Sequence, residues 1–316
     1  MTSKGIKAAS FIFLAAFLLG GCARLERKLF DWGVSFERYR SDLVFRTIRV
    51  DGQRIACLER KGKGDTIVLL HGFGANKDTW IRFIRYFPKS FHIYAIDMMG
   101  HEDNRRDMDL SYDIRHLTDA FSLAVESLGL HRFHLAGHSL GGYVAMLYAA
   151  ENPQELITLG LFASAGVLCP KPTDFQLALE KGKPPITIDS AKSLDRMMDR
   201  VFYKKPFTPW PIRSVILRQC IERNKFEKKM WNDIWKNHPN AKDLLPRIRM
   251  PVFLLWGGKD RIMDVSCVKV YQRYLPQAET VIIKNCGHGL IFEKPEETAD
   301  AYAKFLENVK NEKMEK

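Results

Sequence analysis

One stretch restricts the fold more than any other: Arg132 to Ala150, reading Arg-Phe-His-Leu-Ala-Gly-His-Ser-Leu-Gly-Gly-Tyr-Val-Ala-Met-Leu-Tyr-Ala-Ala. A β-prone run, Phe133 to Ala136, meets Gly137-His138-Ser139-Leu140-Gly141, and a helix-prone run follows from Gly142 to Ala149. The pattern predicts a strand, a G-x-S-x-G turn and a helix. So sharp a turn imposes strained backbone angles on its central residue, Ser139. The residues two before and two after it approach so closely that a Cβ at either place would clash, which Gly137 and Gly141 avoid. This geometry lifts the Ser139 hydroxyl clear of the sheet and makes it the candidate nucleophile. The five-residue pattern alone also describes a Gly-rich loop; the strand before and the helix after favour the catalytic turn.

The rest of the chain supplies a sheet for that turn. Val44 to Val50 and Gln53 to Glu59 flank Asp51-Gly52 and read as a hairpin. Thr66 to Leu70 is a continuous apolar run of the kind buried in a central parallel strand, and it leads into His71-Gly72-Phe73-Gly74. Phe91 to Ile96 is the next strand, ending at Asp97-Met98-Met99-Gly100-His101, and Ser111 to Leu128 has helical periodicity. Beyond the elbow helix, stopped near Asn152-Pro153, Glu155 to Phe162 is a strand. Val252 to Leu255 and Thr280 to Lys284 complete the set, with helices over about 265–274 and from about Pro295. This alternation implies an α/β fold, a mostly parallel, doubly wound sheet flanked by helices, with the site at the strand carboxyl ends. From about 166 to 246 the alternation stops. Pro170, Pro172, Pro184, Pro185, Pro206, Pro209 and Pro211 punctuate helix-like pieces there, as expected of a helical cap inserted between two core strands.

Lys4 and Lys7 precede an apolar run, Ala8 to Leu19. It is short for a membrane-crossing helix and suits the core of a secretory signal. Leu19-Gly20-Gly21-Cys22 resembles a bacterial lipobox. That resemblance implies a signal peptide over 1–21, cleavage before Cys22, and acylation of Cys22 with firm anchoring by several chains. The alternative is an uncleaved signal-anchor with an incidental cysteine. Ala23 in the next position implies, by resemblance to Gram-negative sorting signals, an outer-membrane lipoprotein facing the periplasm or the cell surface. Within 22–43, Leu25, Leu29, Trp32, Phe36 and Tyr39 recur at helical spacing among Arg24, Arg27, Lys28, Arg38 and Arg40. Such a membrane-proximal helix either rests its apolar side in the lipid interface or packs it against the enzyme's own body.

Residues 44–316 are long enough for one large domain with an inserted cap. The formal net charge of +12 is spread along the chain rather than gathered in one tract; it suits anionic lipid, and no nucleic-acid partner is expected. Beyond Cys22 stand Cys57, Cys169, Cys220, Cys267 and Cys286. They show no metal-ligand spacing, and although export permits a disulfide, the sequence names no pair.

A serine hydroxyl is a poor nucleophile at neutral pH and needs a base within hydrogen-bonding reach, itself oriented by a carboxylate. On a strand–elbow–helix scaffold the order is Ser, acid, His, each on a loop after a strand. Asp260 follows the Val252–Leu255 strand in Trp256-Gly257-Gly258-Lys259-Asp260, with Asp264 as the rival acid. His288 follows the last strand in Asn285-Cys286-Gly287-His288-Gly289. The oxyanion donors expected are the backbone N–H groups of Leu140, next to the nucleophile, and of Phe73. His71 and His138 read as loop-shaping neighbours, and Asp97 as the organiser of its loop.

Together, His71-Gly-Phe-Gly, Asp97-Met-Met-Gly-His, Gly137-His-Ser-Leu-Gly-Gly, Gly257-Gly-Lys-Asp and Gly287-His-Gly resemble the α/β-hydrolase superfamily, from about residue 44 to the end. More narrowly, residues 251–295, with Asp260-Arg-Ile-Met-Asp-Val-Ser266 and Asn285-Cys-Gly-His288, are similar to membrane-bound monoacylglycerol lipases and cap-containing bacterial lipases. The resemblance implies a serine hydrolase of carboxylic esters with medium or long acyl chains. It would work through an acyl-enzyme on Ser139, Asp260 and His288, with no metal or organic cofactor. C–C bond hydrolysis and acyl transfer to another alcohol keep the same triad, and a non-catalytic lipid-binding lipoprotein would keep the fold alone. One departure stands out: the superfamily pattern often has D-x-x-G-x-G, whereas His101-Glu102 follow Gly100 here, so this loop is expected to shape the pocket differently. In the cap, Phe202 to Trp210 mixes aromatics with cations, as an interface-facing rim or as a plain cap core with exposed lysines.

Overall fold

The computed structural model describes residues 23–50, 52–181, 187–236 and 238–314. The signal peptide expected over 1–21 and the lipid attachment expected at Cys22 lie outside the described residues. Among those described, one eight-stranded sheet runs β1 (Val44–Val50), β2 (Gln53–Arg60), β3 (Thr66–Leu70), β4 (His92–Ile96), β5 (Phe133–His138), β6 (Leu156–Phe162), β7 (Val252–Gly257) and β8 (Glu279–Ile283). Their spatial order is β1-β2-β4-β3-β5-β6-β7-β8. β2 pairs antiparallel with β1 and β4, and the other neighbours are parallel. The apolar run Thr66–Leu70 read as a central strand is one: β3 lies between β4 and β5 and is buried from Ile67 to Leu70, and β5 and β7 are buried along their whole length. The chain goes out from β3 to β4 and returns across β3 to β5, so strand order reverses there. A crevice opens at such a switch point, beyond the carboxyl ends of β3 and β5, where Phe73 and Ser139 stand.

Helix α1 (Ala23–Arg40) precedes the sheet, and α2 (Ile81–Tyr86) follows a 3-10 turn between β3 and β4, a helix the sequence pattern does not announce. α3 (Ile114–Ser127) begins at Asp113, whose carboxylate accepts from the His116 N–H at 2.9 Å, a cap that satisfies an otherwise orphaned donor. α4 (Leu140–Glu151) is buried from Leu140 through Ala150, as a helix that is apolar all round must be. Between β6 and β7 lie α5 (Asp174–Glu180), α6 (Ala191–Val201), α7 (Ile212–Lys236) and α8 (Ala241–Leu244). The prolines punctuate this insertion only as far as Pro211; α7 then runs 25 residues without glycine or proline. α9 (Cys267–Tyr274), α10 (Leu290–Glu293) and α11 (Pro295–Met314) complete the chain.

Two features settle what the sequence leaves open. A disulfide joins Cys169, at the entry to the insertion, to Cys267 at the start of α9, while Cys57, Cys220 and Cys286 are free and buried. Helix α1 packs on the body, but through its charged side. Arg38 donates two 2.6 Å hydrogen bonds to Asp78, Arg85 pairs with Glu37 at 2.5 Å, and buried Glu26 accepts from Trp210 Nε1 at 2.7 Å and pairs with Arg218. Leu25, Leu29, Trp32, Phe36 and Tyr39 face solvent, Trp32 at 69% and Tyr39 at 79% exposure. Among the described residues no helix is long and apolar enough to cross a membrane.

Candidate active site

Ser139 links β5 to α4 with φ 53° and ψ −116°, the left-handed strain expected of this turn. The glycines around it are required by main chain. A Cβ on Gly137 would lie 2.2 Å from the Gly141 carbonyl oxygen, and one on Gly141 would lie 2.4 Å from that of His71. Leu140 opens α4, where a helix leaves its first N–H groups without intrahelical acceptors. The Phe73 N–H also donates to no protein acceptor among the described residues. Both are therefore free to face an oxyanion.

Asp260 and His288 come together as their strands predict. His288 Nδ1–H donates to Asp260 Oδ2 at 2.8 Å, and Asp260 Oδ1 accepts from the N–H groups of Ile262 and Met263 at 2.8 and 2.9 Å. Both residues are buried, the His288 side chain 7% exposed and that of Asp260 0%. Their loops are joined by main chain: the Lys259 N–H donates to the Cys286 carbonyl at 2.8 Å, and a Cβ on Gly257 would sit 2.1 Å from the Gly287 carbonyl oxygen. Asp264, the rival acid, instead accepts from the Ser266 N–H at 2.8 Å and serves its own turn. Ser139 and His288 line one cavity, but no hydrogen bond joins them among the described residues. Such a link commonly tightens only once substrate is in place.

The neighbouring histidines are loop-shaping, as expected. His71 Nδ1–H donates to the Gly72 carbonyl at 2.8 Å while its Nε2 accepts from the Met98 N–H at 3.0 Å. The ring thus ties the Phe73 loop to the loop after β4. His138 Nε2–H donates to the His288 carbonyl at 2.8 Å, holding the base's backbone, and its buried Nδ1 has no hydrogen-bond partner among the described residues. Burial keeps both uncharged, with His138 driven down to about 3, which removes them as rival bases. Asp97 accepts from the Lys77 N–H at 2.6 Å and pairs with Lys77 Nζ at 2.8 Å. Burial pushes its carboxyl up to about 6 against the pull of that ammonium.

The cavity above Ser139 holds about 510 Å³ and is walled mainly by apolar side chains from the floor and from α5, α6 and α7. Its roof was poorly marked in the sequence. Trp231 on α7 meets the Phe73 ring edge-on at 5.3 Å. Glu293 accepts from the Gly287, Tyr203 and Lys204 N–H groups at 2.9, 3.1 and 2.7 Å, fixing the His288 loop to the end of α6. Phe202 lines the cavity, whereas Phe207 is 89% exposed. Glu102, in the stretch that departs from the superfamily pattern after Gly100, has φ 35° and pairs with Arg223 of α7 at 2.5 Å, which ties that loop to the roof.

An eight-stranded mixed sheet with a strained serine between β5 and α4, and an Asp–His pair on the loops after β7 and β8, defines an α/β hydrolase. The alpha/beta hydrolase family pattern matches residues 67–301, and the chain belongs to that family. It is 29% identical to the monoacylglycerol lipase ABHD6 of Bos taurus over 94% of this chain and 90% of that protein. It is 27% identical to Lipase 1 of Psychrobacter immobilis, over 86% and 87%. The crystal structure of a membrane phospholipase A, a bacterial virulence factor, superposes with a TM-score of 0.89 at 32% identity, covering 97% of this chain and 99% of that one. The protein is accordingly a serine hydrolase of the lipase and esterase type.

Proposed function

We propose that the protein hydrolyses carboxylic esters of medium or long acyl chains, monoacylglycerols foremost, through an acyl-enzyme on Ser139. The observation that carries this reading is the Asp260–His288 pair, bonded at 2.8 Å, beside the strained serine under an apolar cavity. Ser139 Oγ attacks the ester carbonyl while His288 Nε2 takes its proton, and Asp260 steadies the resulting imidazolium. The oxyanion receives the Leu140 and Phe73 N–H groups. Collapse expels the alcohol, protonated by His288. Water then gives a proton to His288, attacks the acyl carbon and releases the acid, and Ser139 recovers its proton. The apolar insertion acts as a cap that takes the acyl chain.

The reading includes a lipid surface as the place of work. Leu25, Leu29, Trp32 and Phe36 of α1 and Phe207 of the cap offer exposed apolar groups near Arg24, Lys28, Lys204 and Lys205, and lipid attachment at Cys22 would hold them there. Incubation of the active protein with a fluorophosphonate should label it, and Ser139→Ala should lose both the label and monoacylglycerol turnover, by at least about 10⁴-fold. Turnover that survives the substitution would refute the assignment.

A further inference from the structure

Among the described residues one carboxylate interrupts the apolar wall of the cavity: Glu227 of α7. It stands one helical turn before Trp231, whose ring packs on Phe73, and its Oε1 lies 3.6 Å from where a Cβ of Gly74 would be. The carboxylate is therefore set against the loop that carries the Phe73 oxyanion donor. Arg223, a turn earlier, brings Nε within 3.2 Å of the same Oε1, and Arg223 is itself held by Glu102 at 2.5 Å. The second oxygen, Oε2, makes no hydrogen bond among the described residues. The side chain is 14% accessible, so substrate entering the cavity would strip its remaining water. Burial already raises its pKa.

We propose that Glu227 is a specificity residue that accepts a hydrogen bond from a free hydroxyl on the alcohol portion of the ester, selecting neutral polyol monoesters. This rests on the ester-hydrolase reading above and adds what the site recognises besides the acyl chain. An alcohol portion with hydroxyls replaces the water lost by Oε2. A simple alkyl ester leaves a desolvated carboxylate without a partner, and sites built around such a group discriminate strongly against the analogue that lacks it. A headgroup bearing a phosphate would meet like charge at the same oxygen. Glu102, which departs from the superfamily pattern, then has a purpose: it fixes the arginine that fixes Glu227.

The test compares a 1-monoacylglycerol with the methyl ester of the same fatty acid, using the full-length protein and mixed micelles at matched mole fraction. In Glu227→Gln the ratio of kcat/KM for monoacylglycerol to that for methyl ester should fall about tenfold, with methyl-ester turnover retained or raised, since that ester no longer buries an unpartnered carboxylate. That second rate also reports that the variant is folded. Equal losses on both esters would make Glu227 merely structural and overturn the proposal, as would no change on either. A measurement on the unaltered protein needs no variant: methylating both free hydroxyls of the glycerol should slow hydrolysis about tenfold, and equal rates would overturn the proposal. Failure of the wild type to hydrolyse any of these esters would instead refute the ester-hydrolase reading itself.

Discussion

On the floor of the cavity, Ser139, Asp260 and His288 stand on turns dictated by the backbone, with main-chain atoms so close that Gly137 and Gly257 admit no side chain. On the roof, Trp231 and Glu227 stand on α7, joined to the floor by side chains, the Glu102–Arg223 pair and the Trp231–Phe73 contact, and Phe202 stands just past α6, where the Glu293 carboxylate is helped by a single main-chain bond from the Gly289 N–H to the Val201 carbonyl at 3.0 Å. A geometry enforced by main-chain collision has few sequence solutions. One held by side-chain pairing has many. The floor is thus fixed in form and the roof is free to vary, which divides the labour between chemistry below and selection above.

The contrast can be broken in three ways. The largest effect is expected at the floor's acid. Asp260→Asn keeps the shape but cannot accept from two backbone amides and from His288 at once, so kcat should fall roughly 10³- to 10⁴-fold with little change in KM; steady-state kinetics on a short-chain ester checks it. Next, Gly137→Ala should destabilise the fold by roughly 3–5 kcal/mol, because the atom it strikes is backbone. Leu179→Ala on the roof, which only enlarges an existing cavity, should cost about 1–2 kcal/mol. Urea denaturation of the two variants tests the contrast, and equal losses would end it. The third concerns acid. Burial holds His101 down to about 4, whereas an unfolded chain protonates its histidines near 6.5. Between those values the unfolded state binds more protons, so stability falls as pH drops from about 6.5 to about 4, by about 3 kcal/mol for this one group. In His101→Gln the loss of stability across that window should be shallower, read by thermal denaturation at stepped pH.

The floor could be read in the sequence because each of its groups follows a recognisable strand. Ser139 and His288 are placed by their turns and Asp260 by its position just after β7, and the fold separates it from its rival Asp264, four residues on, which turns to the Ser266 N–H. Helix α1 shows what periodicity leaves out. Spacing reveals that Leu25, Leu29, Trp32 and Phe36 share a face, but not which way that face turns. Here the decision came from distant residues, Asp78, Arg85, Trp210 and Arg218, that receive its charged side. Helix α2 escaped because its six residues are too few to show a period. Glu227 is one charge among many along α7, and nothing local distinguishes it from its solvated neighbours. The signal was the tertiary one, a helix laid across the Phe73 loop.

The cross-link between Cys169 and Cys267, 98 positions apart, closes the whole roof and β7 into a covalent ring. A protease that opens the chain anywhere in 170–266 therefore yields two pieces that travel as one molecule until a reductant is added. A nicked roof need not be a lost one.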